Sequence, residues 1–148
     1  MLSALSLGAT LYMPATRPDL WQVVNGEKYP ELRSLVICLE DAVSEHEVEA
    51  AKVNLRQLLR QVQDQPRQAQ HPKIFIRPRH IAMAEELAQW QELIMADGMV
   101  LPKFCLNQLR QWQQILPDFI QVMPTLEDAE TFDMGAMREL RQALQQDF

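Results

Sequence analysis

Residues 34–52 read SLVICLEDAVSEHEVEAAK, and the fold turns on how this stretch is read. The run SLVICL (34–39) carries no alternation of polar and apolar residues. A strand with one wet face alternates, so a continuous apolar run fits a parallel strand covered on both faces. Two carboxylates, Glu40 and Asp41, follow at once. Ser44 and Glu47 then stand at the spacing of a capping box, in which the serine hydroxyl takes up the glutamate amide, and they predict a helix start. Val48, Ala51, Leu55, Leu58, Leu59 and Val62 recur at steps of three and four residues, which predicts an amphipathic helix whose stripe faces a core. The polar DQPRQAQHP (64–72) ends it. The stretch is one βα unit with an acidic turn in the middle.

The same alternation recurs on both sides. ATLYMP (9–14) leads into a short helix around DLWQVV (19–24), closed by Asn25-Gly26 and barred from continuing by Pro30. KIFIRP (73–78) precedes IAMAEELAQWQELI (81–94), which is predicted as a single helix. GMVLPK (98–103) precedes LNQLRQWQQIL (106–116), and FIQVMPTLE (119–127) precedes AETFDMGAMRELRQALQQ (129–146), again read as one helix. Trp90 and Trp112 sit at helical positions and are read as packing groups. Repeated βα units predict an α/β chain with a mainly parallel sheet in a single domain over residues 1–148.

The bulk properties narrow the function. Of 148 residues 47% are hydrophobic and 23% charged, the balance of a soluble globular chain. The formal charge of −6 argues against nucleic acid or an anionic membrane surface, which need a basic face to displace counterions. No apolar run approaches the roughly 20 residues that span a bilayer. The first fourteen residues lack the basic start of a signal peptide. Cys38 and Cys105 form neither a disulfide framework nor a metal-ligand spacing, and both are expected as reduced thiols in a cytoplasmic protein. His46, His71 and His80 have no partner at ligand spacing, and no nucleophile elbow or glycine-rich phosphate loop is present.

In parallel α/β proteins the residues just after the strands converge on one rim, where ligands bind. Here the rim receives Arg17, the pair Glu40 and Asp41, Arg77 with Arg79, Lys103, and Glu127 with Asp128. Singly, each is the ordinary charge of a solvated strand end. Together, carboxylates facing guanidinium and ammonium groups are what holds a hard divalent cation beside an anionic substrate; Mg²⁺ needs only one or two carboxylates and keeps several waters.

Five stretches, YMPATRPDL, LEDAV, IFIRP, DGMVLPK and VMPTLEDAE, occur in the order and spacing of the citrate lyase β-subunit-like group, the HpcH/HpaI aldolase superfamily. The sequence resembles most its branch of TIM-barrel carbon–carbon bond lyases. The resemblance implies a (βα)₈ barrel, Mg²⁺ as cofactor, and making or cleaving a carbon–carbon bond in a 3-hydroxyacyl thioester, such as a coenzyme A thioester, or a related oxo acid. Carried over, it implies that Glu127 is the metal ligand and that Arg77 binds the substrate's carboxylate or carbonyl oxygen. Arg17 and Lys103 become further substrate-binding residues, and Glu40 and Asp41 the acidic pair that orients metal-bound water and supports the arginines. Such a set suits retro-aldol cleavage, whose growing negative charge the cation and the arginines stabilise.

The family places a second metal-binding aspartate after a sixth strand, and this chain ends at Phe148 after its fifth unit. The expectation is therefore an incomplete TIM barrel of about five units, read as a fragment or truncated product. It would be catalytic with the missing half present and inclined to homo-oligomerise or to associate with that half through an open edge. Two alternatives stand beside it: an open α/β regulatory module of the receiver type, and a remnant serving as a subunit interface.

Overall fold

A computed structural model describes residues 3–147. Five strands, β1 (Thr10–Pro14), β2 (Ser34–Cys38), β3 (Lys73–Arg77), β4 (Gly98–Leu101) and β5 (Gln121–Pro124), form one sheet in the order β1-β2-β3-β4-β5 with every pairing parallel. The helices α1 (Leu20–Val24), α2 (Val48–Asp64), α3 (Ile81–Ala88), α4 (Leu109–Ile115) and α5 (Met134–Asp147) follow the strands in turn. Sequential strand order is barrel order; a receiver-type sheet would instead place β1 between β2 and β3. The receiver topology is therefore not the one adopted.

Side-chain parity sorts the strands into two faces. Leu35, Ile37, Ile74, Ile76, Met99 and Leu101 point to the helices and join the main core, where α2 contributes Ala51, Leu55, Leu58, Leu59 and Val62, the stripe read from the sequence. Val36, Phe75 and Val100 point the other way and form a second, smaller core with Leu7 and Met123. All five residues of β2 are buried, as expected of a strand covered on both faces. The Phe75 ring fills the inner face, and the neighbouring strand yields room at Gly98: a Cβ there would sit inside the ring's envelope and 2.7 Å from the Gln121 carbonyl oxygen.

Three local expectations are revised. The Ser44 hydroxyl donates to the Glu47 carboxylate and does not accept the Glu47 amide, which bonds the Ser44 carbonyl oxygen at 3.0 Å, and a 3-10 turn at Glu45–Glu47 precedes α2. The helix predicted over 81–94 stops at Ala88; Trp90 is extended, with φ −79° and ψ 126°, before a 3-10 turn at Gln91–Met95. Extended backbone at Trp90 lets Arg56 lie over its ring at 5.2 Å and turns Glu92 inward to Arg56 (3.0 Å) and Arg60 (2.7 Å) of α2. Burial of that tertiary contact outweighs helical continuation. The fifth helix begins at Met134, not at residue 129, because Asp133 Oδ1 accepts the Ala136 amide at 2.7 Å and starts the helix there.

Glu92 makes the fold acid-sensitive in a defined window. Its hydrogen bond from Arg56, backbone bonding and Arg60 lower its pKa to about 2 from the ordinary 4.5. A depressed folded pKa contributes stability that is present above the unfolded value and is lost as pH falls through the folded one. Urea midpoints of the native protein should therefore drop between pH 4.5 and 2. Glu92→Gln should be less stable at pH 7 and show a shallower drop; equal slopes would contradict the assignment.

Candidate active site

The hydrogen-bond ladder runs past the strand ends and sets the rim at one height. Leu39 N–H donates to Arg77 O (2.9 Å), Thr125 N–H to Leu101 O (2.9 Å) and Phe104 N–H to Thr125 O (3.0 Å). By parity Arg77 lies on the same face as Phe75, and Glu40 on the same face as Val36 and Cys38. Both side chains therefore rise over the small inner core, on the face away from the helices.

Arg77 is the hub. Its Nε donates to Glu40 Oε2, its Nη2 lies 3.1 Å from Glu127 Oε1, and the same nitrogen is 3.6 Å from Asp41 Oδ2. One guanidinium thus joins carboxylates from the turns after β2 and β5. The Arg77 side chain is 11% exposed and that of Glu40 4%, so this contact is made largely out of water. Burial disfavours the Arg77 charge, but the Glu40 hydrogen bond and the charges of Glu40 and Glu127 outweigh it and raise the pKa above its ordinary value. Arg77 is a fixed cation at every working pH.

Lys103 adds a second positive group. Its side chain is 69% exposed, its ammonium lies 3.6 Å from Glu40 Oε1, and its backbone N–H donates to Glu127 Oε1 at 3.2 Å. Its φ of 48° lies in the left-handed region, a strained setting for a side chain with a Cβ. The sequence points to the Lys103 ammonium and carries no signal for its amide, which fixes Glu127.

Arg17 is not joined to this group. Its guanidinium donates through Nε and Nη2 to the two Asp19 oxygens, both at 2.8 Å, and Asp19 also takes Lys28. Hydrogen bonds from Arg17 and then Lys28 hold the Asp19 carboxyl far below the usual range. Among the described residues no hydrogen bond or ion pair links Arg17 to Glu40, Arg77 or Glu127. The i, i+2 spacing in ATRPDL was the available signal for this diversion. Asp128 is likewise committed locally, its Oδ1 accepting the Ala129 amide at 2.6 Å.

Two features bear on a cation. Glu40 Oε1 is buried and accepts no hydrogen bond. Among the described residues no group of three His, Cys, Asp or Glu is placed to hold a metal ion. One or two carboxylates suffice for a hard ion that keeps its waters, and the more exposed carboxylates of the cluster are Asp41 and Glu127. A separate groove of about 430 Å³ lies between the segment Phe104–Asn107 and α5, off the Arg77 cluster. Both cysteines are free thiols, and no described helix is long and apolar enough to cross a membrane.

Sequential parallel βα units with charges gathered at the C-terminal rim define part of a TIM-barrel scaffold. The model of the carbon–carbon bond lyase family of the TIM-barrel fold matches residues 1–147, and the chain belongs to that family. Among solved structures it is similar to the citrate lyase beta subunit from M. tuberculosis, complexed with oxaloacetate and magnesium. The TM-score is 0.53 and the sequence identity 21%, over 81% of this chain and 47% of that one. The chain thus spans about half the length of that relative. No curated protein sequence matches it.

Proposed function

We propose that the rim of this chain is the substrate site of a Mg²⁺-dependent lyase that breaks or forms a carbon–carbon bond in a small oxo acid or a 3-hydroxyacyl thioester. The observation that carries the reading is the single guanidinium of Arg77 facing Glu40, Asp41 and Glu127 at the mouth of a parallel βα array. The family match and the oxaloacetate and magnesium bound by the M. tuberculosis relative support it.

In this reading Arg77 binds the substrate's carboxylate or carbonyl oxygen and is held in aim by Glu40. Preorganised cationic donors stabilise charge that develops on oxygen without a reorganisation cost. Glu127 would hold Mg²⁺, with Asp41, 75% exposed, in reach of its water shell. When bound, Mg²⁺ supplies Lewis acidity toward the substrate oxygen. Lys103 draws the anion to the mouth, and Arg17 takes the outer end of the substrate on release from Asp19. The exposed edges of β1 and β5 pair with further strands, from a longer chain, a second copy or another subunit.

Titration calorimetry tests the metal assignment. Glu127→Gln should weaken Mg²⁺ binding at least about tenfold, near 1.4 kcal/mol. Mg²⁺ binding that survives the substitution unchanged would count against it.

A further inference from the structure

Arg79, two residues beyond the hub, spends its guanidinium on backbone. Its Nη2 donates to the carbonyl oxygens of Glu40 (3.4 Å) and Val43 (2.5 Å), the two ends of the acidic turn after β2. That turn is also closed on itself, Val43 N–H donating to Glu40 O at 3.0 Å. The Arg79 stem is anchored on the other side: its own N–H meets Met83 Sδ at 3.3 Å, and the adjacent His80 caps α3 by accepting the Met83 amide at 3.1 Å. The guanidinium therefore bridges two rigid pieces, the start of α3 and the turn that carries Glu40 and Asp41. Its Nε is buried without an acceptor. A donor left unmatched in the interior costs stability.

We propose that Arg79 is a positioning residue that holds the Glu40–Val43 turn in register with β3, so that Glu40 grips Arg77 and Asp41 faces the mouth; the claim rests on the Arg77 cluster being the substrate site. Arginine is required for geometric reasons. The planar guanidinium fixes both Nη2 hydrogens in one plane toward the two carbonyls, whereas a lysine ammonium, though it carries three donors, is a compact charge on a flexible stem that does not hold that fork geometry. The effect on substrate passes through Glu40 and Arg77, since Arg79 itself donates to backbone.

The test needs no ligand. In the native protein the Arg77 Nε–H, bonded to a buried carboxylate, should give a resolved side-chain resonance with slow solvent exchange. In Arg79→Lys and Arg79→Met, that proton should exchange about tenfold faster while backbone amides of β2 and β3 keep their protection, the signature of local loosening. An unchanged Arg77 signal in a folded variant overturns the proposal. Loss of folding in both variants also overturns it, by making Arg79 a support of the fold itself. A second arm separates the two claims. With Mg²⁺ present, Arg79→Lys should bind oxaloacetate about tenfold more weakly than the native chain. Equal affinity overturns the positioning role, while absence of binding by the native chain overturns the proposed function and leaves the Arg77 resonance to judge Arg79.

Discussion

Arg77→Met should lower stability by about 3–5 kcal/mol at pH 7, the largest effect of any single change considered for this protein. The reason lies in what remains behind. Glu40, 4% exposed, loses its bonded cation, and its remaining ion pair is with Lys103 at 3.6 Å, whose side chain is well exposed. Asp41 and Glu127 lose the same partner, so carboxylates from two turns repel across the mouth. Removing one member of a buried pair costs far more than removing both. Glu40→Leu in the Arg77→Met background should therefore recover a large part of the loss, and a double-mutant cycle in urea should show strong coupling. Additive single effects would mean that the two side chains do not share the contact described.

Gly98→Ala carries the second large effect. The residue lies where the Phe75 ring crosses β4, and an added methyl group meets both the ring and the Gln121 carbonyl oxygen. A ring that is 2% exposed cannot swing into solvent, and the oxygen belongs to the adjacent strand. Overpacking of this kind costs about 1–3 kcal/mol. For a chain of this size that is a fall in Tm of roughly 3–10 °C. Phe75→Leu should be destabilising alone yet partly compensate Gly98→Ala, since the smaller side chain clears the methyl group. The double variant being worse than the sum of the singles would place the Phe75 ring elsewhere.

The alternation of strand and helix was legible because burial on both faces erases the polar positions of a parallel strand, as in SLVICL, while each helix keeps its stripe. The rim residues were legible for a related reason: in a parallel array a residue's place in sequence, just after a strand, is also its place in space. What sequence could not assign was pairing. Arg77 ends β3 and Arg17 lies three residues past β1, and Asp19 captures the one at position 17 while Glu40 holds the other. Choosing between them requires the cross-strand register and the depth of each side chain.

The missed helix break has the same root. Nothing local in ELAQWQELI (86–94) interrupts the helical spacing; the break accompanies ion pairs between the buried Glu92 and the half-exposed Arg56 and Arg60 of α2. Long-range contacts of this kind override propensity. The Lys103 amide on Glu127 and the Arg79 guanidinium on the Glu40–Val43 turn were hidden too, because backbone donors and acceptors leave no mark in side-chain identity.

Chemical-shift mapping with oxaloacetate and Mg²⁺ tests the central claim most directly. Binding should move the resonances of Glu40, Asp41, Arg77, Lys103 and Glu127 together, with the Arg77 side chain among the largest changes, and Glu127→Gln should abolish the Mg²⁺-dependent part. Shifts clustered in the groove beside α5 with the Arg77 side chain unmoved, or no shifts at all, would contradict it.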